Sequence, residues 1–163
     1  MIRKATADDI RSMMNLAAES ATAAHWTEQQ YRDLISPAGK LDRLAIVAEG
    51  SPVSHPAMPA EGLLGFLIAR FQSPECELEN IVVSRAAHRK GIGRQLLDAL
   101  QLATRETKCE VVFLEVRESN QAARAFYESV GFELNGSRKS YYSNPSEDAM
   151  VYRLTIPAKP FSC

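Results

Sequence analysis

The chain has 163 residues, 45% hydrophobic and 24% charged, with 19 Lys and Arg against 20 Asp and Glu and a formal net charge of −1. That length suits a single globular domain with a core large enough to fold alone. The balanced charge supplies no global field for nucleic acid or an acidic membrane surface, so any anion site has to be local.

Three cysteines, Cys76, Cys109 and Cys163, are odd in number and widely spaced, which fits neither a paired zinc pattern nor a disulfide framework. Reduced thiols and no metal site are expected. The N-terminal "MIRKATADDIRSMM" lacks the apolar centre of a signal peptide, and no run approaches the ~18 apolar residues of a membrane span, so a soluble, cytoplasmic protein is expected.

"IRKAT" opens as a short strand. Thr6, followed three residues later by Asp9, forms a capping-box pattern ahead of Ile10, Met13, Met14, Leu16 and Ala17 at helical spacing. A second helix is predicted from Thr27, with Gln30 as the reciprocal cap, Trp26 and Tyr31 as a hydrophobic staple, and a stop near Pro37 and Gly39. "RLAIVAE" (43–49) and "GLLGFLIARF" (62–71) read as strands joined by a long Pro-rich loop over 50–62. "ECELENIVV" (75–83) alternates and then becomes fully apolar, as a central strand does.

From Gly91 to about Glu106, Ile92, Leu96, Leu97, Leu100 and Ala103 share one helical face. "VVFLEV" (111–116) is a further strand. Ser119 or Asn120 can cap the helix "QAARAFYESV", Gly131 stands where a left-handed residue would end it, and "FELNGSR" and "DAMVYRLTI" close the chain as strands. The order predicts an α/β (α+β) domain over 1–156, a mixed, mostly antiparallel sheet covered by helices with a central βαβ crossover, followed by a loose tail over 157–163. The chemistry is expected at that crossover.

"HRKGIG" (88–93) lies there, between a strand and a helix. A helix N-terminus presents unpaired N–H groups and the positive end of the dipole, and glycines let the backbone close on an anion. Arg85, Arg89, Lys90 and Arg94 surround the turn, although cations at a turn are also what a solvated face carries. A GxGxxG dinucleotide turn would need glycine where Leu96 stands, and GxxxxGK[ST] is absent.

The segment resembles the R/Q-x-x-G-x-G/A pyrophosphate loop of the GCN5-related N-acetyltransferases (GNAT), with His88 in place of Gln or Arg at the first position. "FLEVRESNQAARAFYESVGFE" (113–133), "SRKSYYSNPSEDAMVYRL" (137–154) and "AHWTEQQY" (24–31) are similar to the RimI type of that family, the bacterial ribosomal-protein alanine N-acetyltransferases. The resemblance covers most of 1–155 and is weak over 36–62.

It implies a GNAT fold and acetyl-CoA as donor. The donor would be held by the backbone of Ile81, Val82 and Val83, by His88, Arg89, Lys90, Gly91, Ile92, Gly93 and Arg94, and by Asn120. It implies Glu115 as base and Tyr127 as acid, with Trp26, Glu79, Tyr141 and Tyr142 on the acceptor side. Glu79 competes for the role of base, and Glu147 and Asp148 could attract a basic residue of the acceptor.

Read from the residues alone, Glu115 interrupts an apolar strand, as a base does or as a carboxylate paired with Arg117 or another cation does. Tyr127 could equally be a packed aromatic, Asn120 a helix cap, His88 a surface imidazole, and Trp26 only a staple.

The expected activity is acetyl transfer to a primary amine, foremost the N-terminal alanine of a small-subunit ribosomal protein. The alternatives are a small-molecule amine acetyltransferase and a CoA-binding sensor without turnover. No direct nucleic-acid or membrane partner is expected, and the oligomeric state is left open.

Overall fold

The computed structural model describes residues 1–36, 42–50 and 62–157. The helix stop at Pro37 and Gly39, the 50–62 loop except its end residues, and the C-terminal tail after Pro157 lie outside the described residues. The elements are β1 (Ile2–Lys4), α1 (Ile10–Glu19), α2 (Glu28–Ile35), β2 (Arg43–Glu49), β3 (Leu63–Gln72), β4 (Glu75–Val83), α3 (Ile92–Glu106), β5 (Val111–Arg117), α4 (Gln121–Ser129), β6 (Glu133–Tyr142) and β7 (Glu147–Thr155). Short 3-10 turns stand at Ala7–Asp9 and Arg85–Ala87.

The sheet has seven strands in the order β1-β2-β3-β4-β5-β7-β6. β4 runs parallel to β5 over Glu75–Glu77, whereas the β1–β2, β2–β3, β5–β7 and β6–β7 pairs are antiparallel. The chain divides into two compact units, Met1–Arg70 with Glu79–Leu102, and Phe71–Leu78 with Ala103–Cys163.

In the first unit the helical spacing places Ile10, Met13 and Ala17 of α1 and Tyr31 of α2 against Val47, Phe66, Ile68 and Val82 of the sheet. Each large side chain so buried stabilises the fold by roughly 1.5–3 kcal/mol. Local chemistry starts both helices. The Thr6 N–H donates to Asp9 at 2.7 Å, and Thr27 and Gln30 exchange bonds at 2.7 and 3.3 Å. Arg3 grips Asp9 with two bonds at 2.7 and 2.9 Å and also reaches Glu49. This fork, with the Thr6 bonds, holds the Asp9 carboxyl below the usual carboxylate range.

Gly65 is required by closeness. A β-carbon there would stand 2.6 Å from the Val82 carbonyl oxygen and 3.2 Å from Val83 Cα, and the Leu96 side chain of α3 closes the same face.

In the second unit β5 alternates strictly. Val112, Leu114 and Val116 are buried, and Phe113, Glu115 and Arg117 share the half-exposed face. The sequence reading ends β6 near Arg138, but the strand continues to Tyr142. Ser140 takes a left-handed φ of 51°, and its N–H donates to the Asp148 carboxylate at 2.8 Å, so the strand passes through an irregularity between Arg138 and Tyr142. Gly131 follows α4 with φ 98°, as the sequence predicts for a left-handed stop.

Candidate active site

In the first unit β4 ends in a turn held by backbone hydrogen bonds. The Ser84 N–H donates to the Leu64 carbonyl at 2.8 Å, and the Ala87 N–H donates to the Ser84 carbonyl at 2.9 Å. Arg89 and Gly91 then adopt positive φ values of 62° and 77°. Alternating left-handed residues turn successive N–H groups into one concavity, and the first-turn amides of α3, from Ile92, lack intrahelical acceptors. The first recorded helical bond runs from the Gln95 N–H to the Gly91 carbonyl at 3.0 Å. The φ of Gly91 favours glycine, and since a β-carbon there would meet nothing within 4 Å, the space beside it is open. Arg94, 64% exposed and 4.0 Å from Asp98, adds a cation nearby.

His88 is more than the surface imidazole of the residue-level reading. Its Nε2 lies 2.9 Å from the Val83 carbonyl oxygen, so that nitrogen carries the proton and ties the turn to the end of β4. Glu79 is not simply a solvated strand-end carboxylate. Arg43 donates to it at 3.0 Å, its side chain is only 12% exposed, and the same guanidinium stands 5.7 Å from the Trp26 ring centre. Trp26 also forms the expected staple, 5.8 Å from the Tyr31 ring.

Sequence reasoning missed Asn80, a buried amide in the apolar run of β4 whose Nδ2 donates to the Ala24 carbonyl at 3.1 Å and anchors the segment before Trp26. An Asn on the alternating face that carries Cys76, Leu78 and Val82 was the available signal.

In the second unit Glu115 faces a cation, and that cation is Arg138 of β6 rather than Arg117. The Arg138 Nη1 donates to the Glu115 Oε1 at 2.6 Å, and this hydrogen bond is the main reason that the Arg138 pKa is raised. Arg117 instead pairs with Glu147 at 3.2 Å and lies 4.3 Å over the Tyr142 ring. The Arg138 guanidinium covers the Tyr141 ring at 4.2 Å, and the nearby Glu115 carboxylate raises the Tyr141 pKa.

Glu147 and Asp148 are engaged within the fold. The Ser119 N–H donates to Glu147 at 2.6 Å, and Ser119, through its side chain first and this N–H second, holds the carboxyl low, while Asp148 accepts from Ser140. Asn120 caps α4, accepting from the Ala123 N–H at 3.2 Å.

Tyr127 is 8% exposed among Phe126, Phe132 and Tyr152. Burial, and then the neighbouring Tyr142, push its pKa well above the usual phenol range, so the hydroxyl stays protonated. Among the described residues no group of three or more His, Cys, Asp or Glu side chains could hold a metal ion. No described helix is long and apolar enough to cross a membrane.

A family comparison fits this arrangement. The profile described as the acetyltransferase (GNAT) family matches residues 10–132. The chain belongs to that family.

Its curated relatives include the ribosomal protein bS18-alanine N-acetyltransferase of Escherichia coli (strain K12), 38% identical over 96 residues, 58% of this chain and 65% of that protein. The N-alpha-acetyltransferase RimI of Mycobacterium tuberculosis (strain ATCC 25618 / H37Rv) is 44% identical over 79 residues, 48% of each chain. The chain thus spans less than two thirds of the length of these relatives. The crystal structure of the Escherichia coli ribosomal-protein-S18-alanine N-acetyltransferase superposes with a TM-score of 0.78 at 25% identity, covering 100% of this chain and 97% of that one.

GNAT acetyltransferases use acetyl-CoA.

Proposed function

We propose that the protein transfers the acetyl group of acetyl-CoA to the N-terminal α-amine of a protein, with an N-terminal alanine of a small-subunit ribosomal protein as the foremost acceptor. The observation that carries the chemistry is the carboxylate and protonated phenol of the second unit. Glu115 is ionisable and half-exposed on β5, and Tyr127 is held protonated on α4.

Acetyl transfer to an amine breaks a C–S bond and forms a C–N bond. Two protons leave the ammonium, one reaching solvent and one ending on sulfur. Glu115 takes up a proton as the nitrogen becomes nucleophilic, directly or through a water. The Tyr127 hydroxyl donates a hydrogen bond to the sulfur as negative charge develops there. With its pKa raised, complete transfer from the phenol to a thiolate is uphill, so its main contribution is electrostatic. In the first unit the turn at 88–94 and the backbone of Ile81–Val83 would hold the donor, and Asn120 of the second unit is a further candidate for donor contact. Trp26, Glu79, Tyr141 and Tyr142 would flank the acceptor.

The relatives' names support the α-amine, and so does acid–base arithmetic. An α-amine is neutral in roughly a tenth of molecules at pH 7, a lysine in about one of 2,500. An unassisted carboxylate base therefore has far less to do for the former.

The test is mass spectrometry of two peptides incubated with acetyl-CoA. One has a free N-terminal alanine and no lysine; the other is N-blocked with an internal lysine. Gain of one acetyl group on the first alone is expected. Acetylation of the lysine, or of a polyamine or amino acid in place of either peptide, would reassign the acceptor. Acetyl-CoA binding with no thiol release from any amine would make the protein a sensor.

A further inference from the structure

We propose that Arg138 is a positioning residue for Glu115, a displaceable counter-ion that holds the carboxylate in place until the acceptor's ammonium takes its position. This rests on the reading of Glu115 as the base.

The fold goes out of its way to bring the two groups together. Arg138 and Tyr141 are three residues apart, so on a regular strand they would point to opposite faces. The left-handed Ser140, pinned by Asp148 at 2.8 Å, breaks the alternation and sets the Arg138 guanidinium 4.2 Å over the Tyr141 ring. Glu115 consequently meets a guanidinium N–H at 2.6 Å whose orientation the Tyr141 ring helps to fix.

A purely architectural ion pair would be expected between two shielded side chains. Here the carboxylate is 24% exposed and the Arg138 side chain 55%, on a strand whose residues Glu133–Tyr141 are all exposed. Such a pair opens at little cost, because water solvates the released guanidinium. A protonated amine arriving at Glu115 is a cation of the same sign as Arg138 and meets the same oxygen.

The experiment is a double-mutant cycle on the full chain. Arg138→Gln, Glu115→Gln and the pair are compared for turnover and for calorimetric binding of an alanine-first, lysine-free hexapeptide in the presence of CoA. Removing the competing cation should tighten peptide binding about threefold, the value of an exposed pair, while kcat falls because the carboxylate is no longer oriented. Arg138→Lys keeps the charge and should restore binding to near the wild-type value.

In the Glu115→Gln background, Arg138→Gln should change peptide binding no further. Equal or weaker binding in Arg138→Gln, or the same tightening whether or not residue 115 is a carboxylate, overturns the role of Arg138 while leaving Glu115 as base. Full turnover in Glu115→Gln alone overturns the base reading and this role with it. A thermal midpoint measured for each variant separates loss of fold from loss of positioning.

Discussion

Tyr127 packs through its ring, whereas the catalytic role proposed for it rests on its hydroxyl oxygen alone. Its ring packs 5.6 Å from both Phe126 and Phe132 and 6.4 Å from Tyr152. Tyr127→Phe keeps those contacts and removes only the hydroxyl. Turnover should fall about a hundredfold, as loss of one hydrogen-bond donor to developing charge does, with a stability change near 1 kcal/mol or less. Unchanged turnover in a folded variant would leave Tyr127 as packing alone. Because burial raises its pKa, an alkaline decline in rate below the ordinary phenol range would have to come from another group.

Glu115 was legible in the sequence as the one carboxylate in "VVFLEV", but its partner was not. Arg138 lies 23 residues away on another strand, and the residue reading offered Arg117, which the period of two does place on the same face.

At the scale of elements, the end of β4 depends on how closely β3 approaches it. Gly65→Ala would put a β-carbon 2.6 Å from a backbone oxygen, which cannot rotate away as a side chain could. A loss of about 1–3 kcal/mol is expected by chemical denaturation, the usual cost of overpacking. Acetyl-CoA affinity should weaken with it, since Val83, whose carbonyl anchors His88, has its Cα 3.2 Å from that position. Wild-type stability and affinity in this variant would show that the strands can part without disturbing the turn.

The helices were read closely from sequence because capping operates over three or four residues. Thr27 with Gln30, Asn120 with Ala123, and Gly131 after α4 all stand where expected. The length of β6 was misjudged because an irregular strand has no steady period, and the residue that sustains it, Asp148, belongs to β7.

For the whole molecule, a ligand that binds only the native chain must stabilise all of it. At a hundred times its dissociation constant, acetyl-CoA should contribute about 2.7 kcal/mol. For a chain of this size the thermal midpoint should rise by roughly 5–10 °C. CoA should give a similar shift if the pyrophosphate turn supplies most of the grip. No shift with either would remove the turn from donor binding. The net charge of −1 makes the local arrangement of amides, rather than any overall field, the source of that affinity.

What the sequence determined by itself is what short-range physics decides. This includes the order of helices and strands, their caps, the apolar faces and the glycine turn, whose left-handed residue at Gly91 only glycine adopts without strain. Tertiary structure decided every charge partner in the candidate site. Glu79 met Arg43, Glu147 met Arg117, and Glu115 met Arg138. It also decided that β7 lies between β5 and β6 in the sheet. The reason is that alternation tells which face a strand residue occupies and nothing about which strand comes to lie beside it, so a carboxylate's neighbour is known only once the register is set.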